Sequence, residues 1–129
     1  MTIVVGYTTR PEGRAALERA LLEATTHGED IVVLNVSEGD GRADPSLASE
    51  DDLNEVRGRL HQSGVEGVVR QLVRGKDPAE EIGAIVDETG ASLVVIGLRK
   101  RTPVGKLVLG SNSQKILLNI DVPVLAVKA

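Results

Sequence analysis

Apolar residues change their period along this chain in a regular way. Thr2 to Gly6 is a short β-branched run closed by glycine, the pattern of a buried strand. Beyond it Leu17, Ala20, Leu21 and Ala24 recur at i, i+3, i+4 and i+7, predicting a helix that stops near His27-Gly28. Thr9-Arg-Pro-Glu12 has the spacing of a capping box at its start. Asp30 to Val36 predicts a second strand. A polar stretch, Ser37 to Asp44, separates it from a helix whose face is Leu53, Val56 and Leu60.

The alternation continues to the end of the chain. Val65 to Val73 predicts a third strand, with Glu66, Arg70 and Gln71 giving it the polar character of an edge. Asp77-Pro78-Ala79-Glu80 supplies an N-cap, a proline at the first helical position and an acid, before Ile82, Ile85 and Val86; Gly90 ends that helix. Leu93 to Ile96 is a continuous apolar run, as in a central parallel strand covered on both faces. Ser111 to Gln114 repeats the capping-box spacing ahead of Ile116, Leu117 and Ile120, and Val122 to Val127 predicts the fifth strand. Strands alternating with helices at this spacing specify an α/β fold, a doubly wound parallel sheet with right-handed crossovers.

The chain has 129 residues, one domain's worth, and no linker or repeat divides residues 1–129. Its 41% hydrophobic and 26% charged residues are those of a globular domain. A net charge of -4 argues against nonspecific attraction to nucleic acid or anionic membranes. Tyr7 is the only aromatic residue, which disfavours base-stacking single-strand sites and flavin pockets. Cysteine is absent, so thiolate metal sites and disulfides are excluded together. With a strand at Thr2–Val5 and no apolar run long enough for a bilayer, a cytoplasmic location is the expectation.

In doubly wound sheets the ligand crevice lies outside the carboxyl ends of the strands, where the strand order reverses. The loops after strands one, two and four are therefore the informative ones. The last of these, Gly97 to Ser111, places Arg99, Lys100, Arg101 and Lys106 in an otherwise acidic protein and ends in Gly110-Ser111 at a predicted helix start. Free N–H groups and the positive dipole end suit such a start to a phosphate. Two plainer readings stand beside this one: Ser111 and Gln114 as a helix cap, and the basic residues as a solvated cluster paired with nearby acids.

Catalytic machinery is not evident. His27 and His61 fall near helix ends, Ser111 has no sequence-visible activating partner, and no Gly-x-Ser-x-Gly elbow or metal-ligand spacing occurs. A receiver domain needs acids after strand one and an Asp after strand three, whereas Tyr7-Thr-Thr9 and Val73-Arg-Gly75 stand there. A dinucleotide fold needs Gly-x-Gly-x-x-Gly after strand one, which is also missing.

The ordered set of these segments resembles the universal stress protein A family over essentially the whole chain. The resemblance rests on Ile3-Val-Val-Gly6, Pro11 to Leu17, Val33 to Val36, Leu93 to Gly97, Val104 to Ser111, Ile116-Leu117 and Val122 to Lys128. It implies a five-stranded sheet in order 3-2-1-4-5 with four helices. It also implies a homodimer through the fifth strand, with Val122, Val124, Leu125 and Val127 at the interface. An apolar edge strand that pairs with its own copy is thereby protected, although Pro123 and Lys128 are the devices by which a monomer guards such an edge.

Nucleotide-binding members of that family carry two glycines separated by two residues, then nine residues, then Gly followed by Ser or Thr. Gly97 and Gly110-Ser111 match, with Lys100 at the second glycine; Thr8 stands where an Asp is usual, and Val36 matches the residue whose backbone faces adenine. The resemblance thus implies ATP or another adenine nucleotide bound by Thr8, Val36, Gly97, Arg99, Lys100, Gly110, Ser111 and Asn112, with any Mg held by the phosphates. It implies a noncatalytic stress-response module with protein partners of unknown identity. The alternatives are a dimer that binds no nucleotide and acts through protein contacts, and a slow ATPase.

Overall fold

The β-branched runs pair side by side as parallel strands, and the helical stripes close over both faces of the resulting sheet. The computed structural model describes residues 1–37, 47–73, 75–98 and 110–129. Its elements are β1 (Thr2–Gly6), α1 (Pro11–His27), β2 (Asp30–Ser37), α2 (Glu50–Ser63), β3 (Gly67–Val73), α3 (Pro78–Thr89), β4 (Leu93–Leu98), α4 (Ser111–Asn119) and β5 (Val124–Lys128). The five strands lie in the order β3-β2-β1-β4-β5, all pairings parallel. The chain winds outward from β1 to β3, then crosses back to β4, so the order reverses between β1 and β4.

Strand periodicity sorts the core into two layers. Ile3, Val5, Ile31, Val33 and Val95 face Leu17, Ala20, Leu21 and Ala24 of α1 and Leu53, Val56 and Leu60 of α2. Val4, Val32, Leu34, Val94 and Ile96 face Ile82, Ile85 and Val86 of α3 and Ile116 of α4. Val4, Val5, Val33, Val94 and Val95 are fully buried, which explains why these strands read as unbroken apolar runs. Each such side chain contributes roughly 1.5–3 kcal/mol of burial free energy. No described helix is long and apolar enough to cross a membrane.

Several local expectations shift in the structure, each for a physical reason. α1 starts at Pro11 with Arg10 as N-cap and no side-chain cap bond, so the Thr9–Glu12 box does not form. Pro11 takes the first helical position, where its missing N–H costs nothing. α4 starts at Ser111 with Gly110 as N-cap, again without a side-chain cap, so Ser111 lies inside the first turn and no Ser111–Gln114 box forms. β3 begins at Gly67, because the Val65 N–H is used to close the end of α2 on the Leu60 carbonyl. β5 begins at Val124 rather than Val122; Pro123 contributes only its carbonyl, to the Val94 N–H. Leu117 turns outward on α4, which buries only Ile116 completely.

α2 and α3 are capped by their own side chains. Ser49 and Asp52 form a reciprocal capping box, and Asp77 accepts from the Ala79 N–H at 2.9 Å. Asp77 also receives Lys115 Nζ at 2.5 Å, which ties the start of α3 to α4. The lysine bond, then the Ala79 N–H, hold the Asp77 carboxyl below its ordinary value of 3.8. A carboxyl with a lowered folded-state pKa contributes stability that is present above the ordinary value and lost as pH falls through the lowered one. Asp77→Asn keeps a capping side chain but removes the charge. The gap in melting temperature between wild type and Asp77→Asn is therefore expected to be constant above the ordinary carboxylate range and to shrink progressively as pH falls below it. Thermal denaturation across that range checks it.

Candidate functional site

The carboxyl ends of β1 and β4 meet the first turn of α1 at the point where strand order reverses, and the residues there are built for close backbone approach. Gly13, in the first turn of α1, packs on Thr8: a Cβ added at Gly13 would overlap the Thr8 backbone and hydroxyl. Gly97 is the fifth residue of β4, paired with Val127, and its Cα touches the Glu12 backbone. A Cβ there would overlap the Glu12 carbonyl oxygen. Gly97 is thus a strand residue that admits α1, whereas the sequence pattern placed it at the start of an anion loop. Residues 99–109, including Arg99 and Lys100, lie outside the described residues.

The two strands flanking this point end at different heights. The β1–β2 register runs from Thr2↔Asp30 to Gly6↔Leu34, and the Tyr7 N–H donates to the Leu34 carbonyl at 2.9 Å. β2 continues to Ser37, where only β3 accompanies it. N–H and C=O groups of alternate strand residues point to the same edge, so those of half-buried Val36 face the side of β1 beyond the last rung. On the segment leaving β1, packed against Gly13, the Thr8 Oγ1 is buried and has no hydrogen-bond partner among the described residues. A buried hydroxyl in that state costs free energy, on the order of 1–3 kcal/mol.

Across the reversal point, α4 opens with Gly110 in extended conformation (φ -68°, ψ 162°). Of the four helices, only α4 begins with neither a side-chain cap nor an acidic residue in its first turn. The positive end of its dipole is not offset by the protein's own carboxylates in that turn. Ser111 there is exposed and Asn112 half-buried. One turn further on, the Lys115–Asp77 bond fixes the helix against α3.

Other titratable groups lie away from this point or stay neutral. His27, exposed at the end of α1 and 3.4 Å from Glu23, and His61, in the last turn of α2, lie at helix C-termini, the opposite end of the sheet from the crevice. Burial raises the Tyr7 phenol, with Arg14 opposing and Asp52 and Glu55 adding to the rise. The phenol therefore stays protonated at neutral pH. No group of three metal-ligating side chains occurs among the described residues.

The structure brings Thr8, Val36 and Gly97 to one end of the sheet, beside which α4 begins with Gly110, Ser111 and Asn112. It also reveals residues that pattern reading passed over. Gly13 is needed for the Thr8 contact, and Asn35, fully buried in β2, bonds the Tyr7 carbonyl and the Ala48 N–H. The signal for Asn35 is its place as the one polar residue in the apolar run Val32 to Val36.

The glycine contacts make a direct prediction. Gly97→Ala is expected to lower unfolding free energy by about 2–3 kcal/mol, since backbone cannot yield to the new methyl as a side chain would. Gly58→Ala, in α2 with open space around it, should instead raise stability by about 0.5–1 kcal/mol. Urea denaturation of the two variants measures both.

Comparison with known proteins places this geometry. Residues 1–128 match the sequence model of the Universal stress protein family. The chain is 44% identical over 126 residues to a universal stress protein of Mycolicibacterium smegmatis, covering 98% of this chain and 96% of that protein. A solved universal stress protein from Archaeoglobus fulgidus superposes with a TM-score of 0.81 at 32% identity, covering 99% of this chain and 98% of the other. A universal stress protein from Archaeoglobus fulgidus solved in complex with dAMP superposes at 0.72 with 27% identity, covering the same shares.

Proposed function

This chain belongs to the universal stress protein family, and we propose that it is a noncatalytic, dimeric stress-response module that binds an adenine nucleotide, ATP or a relative, where β1, β2 and β4 end. The observation that carries this reading is the start of α4. It is the one described helix with neither a side-chain cap nor a first-turn acid, and it follows β4, the strand at which the order reverses. Phosphates bind there through the N–H groups of Ser111 and Asn112, with Gly110 admitting them closely and Arg99 and Lys100 supplying charge from the same loop. The nucleoside lies toward Thr8 and the open backbone edge of Val36, and any Mg is held by the phosphates alone. The dAMP complex of the Archaeoglobus fulgidus relative supports an adenine nucleotide as the ligand class.

Hydrolysis is not part of the proposal. Ser111 is exposed in the first turn of α4, and both histidines lie at the other end of the sheet. β5 forms an outer edge of the sheet with Val124, Leu125 and Val127 half-buried, as is Val122 just before it, the condition under which pairing with a second copy covers apolar surface. We assign the protein to the cytoplasm on the same reading.

Denaturing the purified protein and chromatographing the supernatant should release an adenine nucleotide, or calorimetry with ATP, ADP and AMP should give a saturable heat. Neither result would leave the alternative, a dimer that acts through protein contacts such as the 82%-exposed Leu118 on α4. Gly110→Asp separates binding from folding. Its extended backbone accepts any residue, and an aspartate there caps α4 while repelling phosphate. The variant should bind ATP at least about tenfold more weakly, at an unchanged or higher melting temperature. In sedimentation equilibrium the wild type should run at twice its 13.6 kDa mass; a monomer at tens of micromolar contradicts the dimer.

A further inference from the structure

Asn35 occupies a position that its neighbours fill with apolar side chains, and its bonds show what an amide adds there. Its Nδ2 donates to the Tyr7 carbonyl at 2.9 Å. Its Oδ1 accepts from the Ala48 N–H at 2.9 Å and from Gln71 Nε2 at 3.0 Å. Gln71, on the edge strand β3, also donates to the Ala48 carbonyl at 2.7 Å, so both backbone groups of Ala48 are held. Tyr7 immediately precedes Thr8, and Ala48 immediately precedes Ser49, the N-cap of α2. One buried side chain therefore joins the segment leaving β1 to the segment entering α2.

We propose that Asn35, braced by Gln71, is a positioning residue for the nucleoside half of the site, an inference that rests on the nucleotide reading above. The clamp fixes the separation between the chain leaving β1 at Tyr7–Thr8 and the chain returning at Ala48. A leucine in place of Asn35 would face the α1 and α2 layer as Ile31 and Val33 do, but it has no groups to direct at the two backbones. The phosphate half is held separately, by the Lys115–Asp77 bond between α4 and α3. The two halves of the ligand are thus positioned by independent devices, so disturbing one should spare the other.

Calorimetry with ATP and with inorganic tripolyphosphate tests this on wild type, Asn35→Leu and Gln71→Leu. Gln71 is only half-buried on an edge strand, so its variant keeps the test decisive if the first variant fails to fold. Both substitutions should weaken ATP at least about tenfold while leaving tripolyphosphate within about twofold, a change in ratio that general destabilisation does not produce. Amide hydrogen exchange should accelerate at Tyr7–Thr9 and at Ala48–Ser49 together in Asn35→Leu, and chiefly at Ala48–Ser49 in Gln71→Leu. Equal losses for the two ligands, unchanged ATP affinity, or faster exchange in only one of the two segments of Asn35→Leu would each overturn the positioning role. A wild type that binds neither ligand instead refutes the nucleotide reading and removes the nucleoside role with it.

Discussion

The direct contact between the first turn of α1 and the ends of β1 and β4 is the constraint on which the rest of the arrangement depends. It exists because residues 13 and 97 carry no Cβ: a methyl at either would overlap backbone atoms of Thr8 or Glu12. With α1 seated this low, its stripe of Leu17, Ala20, Leu21 and Ala24 covers β1 and its neighbours, and the crevice between β1 and β4 keeps its floor. Glycine at these positions is a packing requirement before it is a ligand requirement. A nucleotide site at this end of the sheet inherits its geometry from a contact that the fold needs anyway.

Electrostatics then divides the helices that begin near this end. α2 and α3 satisfy their first turns with Ser49, Asp52 and Asp77, and the carboxyls of Asp52 and Asp77 are held low, chiefly by the Ser49 backbone N–H in one case and Lys115 in the other. α1 has Glu12 in its first turn. α4 has none of these, so the positive end of its dipole meets no carboxylate in its first turn. Beside it, Lys115 leans back to Asp77 and holds α4 in place. The same carboxylate thus caps one helix and steadies the start of another.

Much of this was legible in the sequence because it follows from periodicity. The alternating strand and helix patterns predicted the order of elements, and the resemblance to universal stress proteins predicted the strand order 3-2-1-4-5 that the sheet adopts. Asp77-Pro78 and Gly90 marked the ends of α3 correctly, because an N-cap acid, a first-turn proline and a left-handed C-cap glycine are local requirements. The misses have both local and distant causes. Two capping-box spacings did not form, since Pro11 and Gly110 settled where α1 and α4 begin. Gly97 read as a loop residue because its reason for being glycine, the Glu12 backbone, lies far away in the chain. Asn35 was visible as a polar interruption of an apolar strand, but its partners Tyr7, Ala48 and Gln71 are joined to it only by the fold.

The central claim is that one adenine nucleotide spans the reversal point, with its phosphates on α4 and its nucleoside by β1 and β2. Titrating ¹⁵N-labelled protein with ATP and following backbone amide resonances tests this most directly. The account predicts saturable shifts with a common dissociation constant at Ser111, Asn112 and Ser113 and, in the same titration, at Thr8 and Val36. Resonances that stay in place at millimolar ATP, or shifts confined to the other end of the sheet around His27 and His61, would contradict it.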